Sequence, residues 1–155
     1  MTLTTLTAIS PVDGRYRSKC ERLAGYFSEY ATIRYRVKVE IEYFIALSGI
    51  GLPQLPALTP EQEAALRRIY SPEVFTVEEA EAVKTIERTT NHDVKAVEYY
   101  LKGKFDELGL SDTKEFIHFG LTSQDINNTA FPMMMRDAMA DVVVPEYQAL
   151  ISNIN

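Results

Sequence analysis

Val83 and Ile86, then Val94, Val97 and Leu101, recur at the three-to-four spacing of a helix face turned towards a core. Between them stand Thr89, Thr90, Asn91, His92 and Asp93, a polar run where further aliphatic residues would continue the face. Polar groups buried there without partners would be costly. Two readings fit. The helix breaks and restarts, with Asn91 or Asp93 capping the second segment and His92 a part-exposed bystander; or the group lines a cleft.

A second face runs through Ile33, Val37, Ile41, Phe44 and Leu47, with Tyr26 and Tyr30 one and two turns earlier. It predicts an amphipathic helix over 23–47, with Ser28 available as a cap and Gly49, Gly51 and Pro53 as stop signals. Thr59-Pro60-Glu61 opens a short helix to about Tyr70, since a capping hydroxyl followed by Pro marks a helix start. Ser71-Pro72 ends it, and Thr76 begins the interrupted stretch. Gly103 to Gly109 reads as a connector. Asp112 with Glu115 resembles a capping box for a short helix carrying Phe116, Ile117 and Phe119 to Gly120. Thr122-Ser123-Gln124-Asp125 starts a long last helix, its apolar face formed by Ile126, Ala130, Met133, Met134, Ala138, Val142, Leu150 and Ile154. Pro132 predicts a kink near Asn128, and Pro145 one near Asp141. At the other end, residues 1–9, with Leu3 and Leu6, read as an extended arm. Ser10 to Gly14 has turn chemistry, with Gly14 in the left-handed position. No strand pair or repeat emerges, so the predicted fold class is all-α. Leu150, Ile151 and Ile154 keep the helical period up to Asn155 without a cap, and the last helix reads as cut short there.

Composition narrows the function classes. The 155 residues are 46% hydrophobic and 25% charged with a net charge of −6, as for a soluble globular chain. Basic residues are dispersed, the densest run being Arg34, Arg36 and Lys38 on one helix, which argues against a phosphate-tracking nucleic-acid surface. Cys20 is the one cysteine, so no internal disulfide forms, and no Cys/His spacing suggests zinc. Without an apolar leader or an apolar run near 18 residues, no membrane contact and a cytoplasmic location are expected.

Three short clusters carry candidate chemistry. Arg15-Tyr16, after the rigid turn, offers a forked guanidinium suited to phosphate and a phenol. Asn91-His92-Asp93 sets an imidazole between an amide and a carboxylate, enough to orient the ring. Thr122-Ser123 opens a helix, where free N–H groups and the helix dipole favour an anion; Thr122 capping with Asp125 three residues on is the compatible structural reading. His118, between Ile117 and Phe119, reads as a core or interface histidine making one hydrogen bond. The Glu78–Glu81 acidic run reads as a solvated face, and Met133 to Met135 with Met139 as packing between helices.

Together, the segments 10–16, 87–99 and 116–128 resemble the adenylosuccinate lyases of the fumarase/aspartase superfamily, in order and in spacing, over about Leu6 to the end. The resemblance implies an all-α, homotetrameric enzyme of purine biosynthesis that eliminates fumarate from adenylosuccinate and from the succinyl-carboxamide ribotide, without metal or organic cofactor. It implies an N-terminal helical domain over 1–111, with 112–155 starting the central helical bundle. Carried onto matching positions, Arg15 and Tyr16 bind the nucleotide, Asn91, His92 and Asp93 line the site with His92 in a supporting role, and Thr122 and Ser123 hold a succinyl carboxylate. The family's general acid (in a His-Gly-Gln-Pro motif) and its base (in a Ser-rich loop) would lie beyond Asn155, leaving these residues inactive alone. The apolar face of the last helix would find its partners on later helices or other subunits. The alternative is a non-enzymatic helical interaction module derived from a lyase.

Overall fold

The computed structural model describes residues 4–154, so Leu3 of the expected arm and Asn155 lie outside the described residues. Among those described the chain is all-helical, with no strand. In order come α1 (Arg17–Cys20), a 3-10 turn (Glu21–Leu23), α2 (Ala24–Phe27), α3 (Glu29–Ser48), α4 (Pro60–Ile69), α5 (Val77–Thr90) and α6 (Asp93–Glu107). A second 3-10 turn (Ser111–Phe116), α7 (Ser123–Ala138), a π-helical stretch (Met139–Val143) and α8 (Val144–Ile154) complete it. No described helix is long and apolar enough to cross a membrane.

Helix α3 is the axis because it carries apolar residues on two faces. Ile33, Val37, Ile41 and Phe44 meet Leu66 of α4, Val83 of α5, and Val97, Leu101 and Phe105 of α6. On the other face Tyr35 and Val39 meet Val94 and the Ile126, Ala130 and Met134 stripe of α7. The helix starts at Glu29 rather than Leu23. Ser28 takes an extended backbone, and its hydroxyl accepts the Ala31 N–H at 3.1 Å, which splits off α1 and α2. The start of α4 is a full capping box between Thr59 and Gln62 with Pro60 behind the cap.

Four expectations need correcting. The residues over 4–8 form a turn rather than an extended arm: the Thr7 and Ala8 N–H groups donate to Thr4 O at 3.1 and 2.9 Å. Gly14 does not adopt the left-handed region; it is needed because a Cβ there would lie 2.9 Å from Thr5 O. The 103–109 connector is mostly helix. Fully buried Phe105 packs edge-on to Phe44 with ring centroids 4.7 Å apart, holding α6 to Glu107 and leaving Gly109, at φ +72°, to turn the chain. The Asp112/Glu115 box does not form, since Glu115 instead accepts from Lys102 Nζ of α6 at 2.7 Å.

The last helix is partly as expected. Ile126, Ala130, Met134, Ala138 and Val142 are buried, and α3 covers the Ile126, Ala130, Met133 and Met134 part of the face that was expected to need partners elsewhere. Leu150 and Ile154 stay 54% and 76% exposed. Pro132 lies within α7 without ending it. Pro145 follows the π-helical stretch, one way a helix absorbs the missing N–H. The Asp141 carbonyl that Pro145 cannot serve accepts from Arg22 Nη2 at 3.2 Å.

Burial separates two substitutions. Phe105→Ala should cost about 3–5 kcal/mol of unfolding free energy, whereas Leu150→Ala should stay within about 0.5 kcal/mol. Urea unfolding of both variants checks this, and equal costs would contradict the packing described.

Candidate functional site

The polar interruption is a corner between two helices. Asn91 ends α5 in the left-handed region at φ +51°, its N–H donating to Glu87 O at 2.8 Å, a conformation that asparagine tolerates better than most residues. The extended His92 that follows is itself the N-cap of α6: Nδ1 accepts the Lys95 N–H at 3.1 Å. This corrects the expectation that Asn91 or Asp93 would be the cap. A backbone N–H can only donate, so Nδ1 presents its lone pair and the neutral ring carries its proton on Nε2. That nitrogen lies 3.3 Å from Ser123 Oγ, across 31 residues of sequence. His92 therefore aims a donor at the start of α7.

At that start, Asp125 Oδ2 accepts from Thr122 N at 2.7 Å and from Thr122 Oγ1 at 2.8 Å. The Thr122 N–H, then its hydroxyl, hold the Asp125 carboxyl below the usual range. The Thr122 hydroxyl is thus turned inward to the cap, and the Ser123 hydroxyl is the one that faces His92. Among the described residues the Ser123 and Gln124 N–H groups have no acceptor, and they stand at the positive end of α7. The loop before it turns on His118 at φ +61° and Gly120 at φ +73°. His118 is a part-buried histidine with one partner, Nδ1 lying 2.5 Å from Oε1 of fully buried Glu40. Burial pushes the Glu40 carboxyl up, and the His118 contact opposes that rise.

A guanidinium joins the two segments from below. Arg36, 6% exposed on α3, places Nη2 2.7 Å from Asp93 Oδ2 and donates from Nε to Asn127 Oδ1 at 2.9 Å. Asp93 Oδ1 accepts the Val94 N–H at 2.8 Å. Burial raises the Asp93 carboxyl, but the Val94 N–H and Arg36 outweigh it and hold the group low.

His92 and Ser123 are thus brought together, with Asp93 and Thr122 beside them in supporting positions. Asn91 acts through its backbone. Arg15 and Tyr16 stay apart: the guanidinium stacks 5.3 Å over its neighbour's half-exposed ring, and among the described residues no hydrogen bond or ion pair joins either to His92 or Ser123. Sequence reasoning missed Arg36, Glu40 and Asn127. Arg36 and Glu40 are one helical turn apart, between Tyr35, Val37, Val39 and Ile41, and a helix with apolar residues on both flanks leaves such charges no route to water.

The arrangement is an all-α chain in which two motif-bearing segments meet at the N-terminus of a long helix. The family model described as Lyase matches residues 14–155, and the chain belongs to that family. Its curated relatives include the adenylosuccinate lyase of Dictyostelium discoideum, 52% identical over 96% of this chain and 32% of that protein. Those of Legionella pneumophila (strain Corby) and Escherichia coli (strain K12) are 47% and 45% identical, over 99% of this chain and 34% of each relative. The chain spans about a third of the length of the curated relatives it matches.

The depressed Asp93 pKa fixes a sign. A carboxyl lowered on folding contributes stability above its unfolded pKa of about 4, and that contribution disappears as pH falls through the lower folded value. Asp93→Asn should lower stability at neutral pH and flatten the acid limb of the pH–stability curve. Urea titrations across that limb check it; an unchanged limb would contradict the Arg36 pairing.

Proposed function

We propose that this chain supplies the substrate-binding part of an adenylosuccinate lyase, which eliminates fumarate from adenylosuccinate to give AMP and from the succinyl-carboxamide ribotide of purine biosynthesis. The observation that carries this reading is the meeting of His92 Nε2 with Ser123 Oγ, 3.3 Å apart, at the open N-terminus of α7. In this elimination a base removes a proton from the succinyl carbon next to a carboxylate, and the C–N bond breaks as the C=C bond forms. An acid returns a proton to the departing nitrogen. Negative charge builds on the carboxylate beside the deprotonated carbon, where preorganised donors act most strongly.

Ser123 Oγ, the Ser123 and Gln124 N–H groups, the α7 dipole and the His92 Nε2–H supply such donors. Thr122 shapes this pocket through its cap on Asp125, Asn91 and Asp93 fix the ring that delivers Nε2, and Arg15 with Tyr16 takes the nucleotide, at its phosphate end. This electron flow stays within the substrate and calls for no metal or organic cofactor. The resemblance to the lyases implies that the general acid and base lie outside these residues, with His92 in a supporting role. The reading also takes the working enzyme to be a cytoplasmic homotetramer in which the half-exposed Leu150 and Ile151 face of α8 is covered.

The test is fumarate release from adenylosuccinate. The chain alone should give none above background. Mixed with the remaining two-thirds of a relative's enzyme it should restore turnover, and His92→Ala or Ser123→Ala should each reduce that turnover by about 10²-fold or more. Turnover by the chain alone would contradict the placement of acid and base, and full turnover with both variants would remove His92 and Ser123 from the site.

A further inference from the structure

Arg36 belongs to no motif that pointed to the site, yet its guanidinium touches both segments that form it. Nη2 reaches Asp93, next to His92 in the corner between α5 and α6, and Nε reaches Asn127, one helical turn beyond Ser123 on α7. The side chain is 8% exposed, against 44% for Asp93, so water cannot replace either contact at the guanidinium. We infer that Arg36 is a positioning residue, a buried two-ended clamp that sets the approach of His92 Nε2 to Ser123 Oγ.

Apolar packing alone does not set that approach. Val94 and Ile126 meet beneath the two segments, but such contacts are non-directional and tolerate small shifts along a helix. A planar guanidinium is directional, with donors in a fixed fork that lock the line between their two acceptors. A lysine in its place keeps the charge but offers a point donor on a flexible stem. The clamp works from the most encased helix of the chain, so it moves only if α3 moves. One turn on, Glu40 holds His118 at the head of the loop leading to Thr122, and this second contact gives an internal control. It lies on the same helix and on the approach to α7, but does not touch the His92 corner.

For the catalytic consequence the inference rests on the function proposed above, but the geometric claim is testable without it. The readout is the proton NMR cross-peak between the His92 ring and the Ser123 β-protons in the chain as it stands, with the His118 ring contacts as the control for the fold. Arg36→Met should abolish the His92–Ser123 cross-peak and leave the His118 contacts in place, and Arg36→Lys should not restore it. Should Arg36→Met lose the His118 contacts as well, the fold has changed, and Asp93→Asn and Asn127→Ala, each releasing one end of the clamp, take its place. Weakening of the cross-peak by either supports the inference. A cross-peak that survives in a folded Arg36→Met chain, or in both end variants, overturns it. Succinate separates this from the functional reading. If wild-type Ser123 amide and His92 ring signals ignore it while the cross-peak is present, the carboxylate site fails, and loss of the cross-peak in Arg36→Met still supports the clamp.

Discussion

A charge on a helix packed from both sides must find its partner inside the protein. That condition falls on Arg36 and Glu40, which α3 carries into the interior between its two apolar faces. Ionised groups are not left unpaired in such surroundings, and removing one partner of a buried pair costs about 3–5 kcal/mol, less where the partner stays half in water as Asp93 does. The partners found are Asp93 and Asn127 for Arg36 and His118 for Glu40. These lie in the two segments that bring His92 and Ser123 together. The demand that stabilises the middle of the fold therefore also sets the geometry of the candidate site.

The same two segments hold the non-glycine residues with positive φ among those described, Asn91 and His118. Such conformations carry a backbone cost and persist where the surroundings over-determine them. Here Asn91 lets α5 end and α6 begin within two residues, so that His92 becomes a cap. His118, tied down by Glu40, swings the loop onto α7. A ring used as a cap acceptor through Nδ1 has its remaining nitrogen fixed as a donor, and α7 supplies further donors opposite. Under the function proposed above, this cluster of donors is where a succinyl carboxylate would be held.

How much of this was legible in the residues follows from what each signal measures. Helical period and start signals report local preference, and so the α4 and α7 starts, the cap at Ser28 and the capping hydroxyl of Thr59 were readable, whereas the helical period alone carried α3 back to Leu23 instead of Glu29. Gly103 misled because glycine weakens a helix only modestly, and burial of Phe105 two residues later outweighed it. Gly14 misled because a glycine required by close approach to Thr5 O looks in sequence like one required by handedness. At the site, His92 stood out as a polar residue where an apolar one was due, and Ser123 as a hydroxyl at a helix start. Arg36 did not, because an arginine on an amphipathic helix ordinarily faces water. Its fate depended on α7 covering a second face of α3, which is a tertiary fact.

The most direct test of the central geometry is the protonation pattern of the His92 ring in the folded chain, read from two-bond proton–nitrogen correlations. With two histidines in the sequence the spectrum holds two imidazoles, and His92→Ala assigns them. The neutral His92 ring should show an unprotonated Nδ1, accepting the Lys95 N–H, and a protonated Nε2 directed at Ser123. A neutral ring carrying its proton on Nδ1 would mean that His92 does not cap α6, that Nε2 offers no donor to the start of α7, and that the site is not built as described.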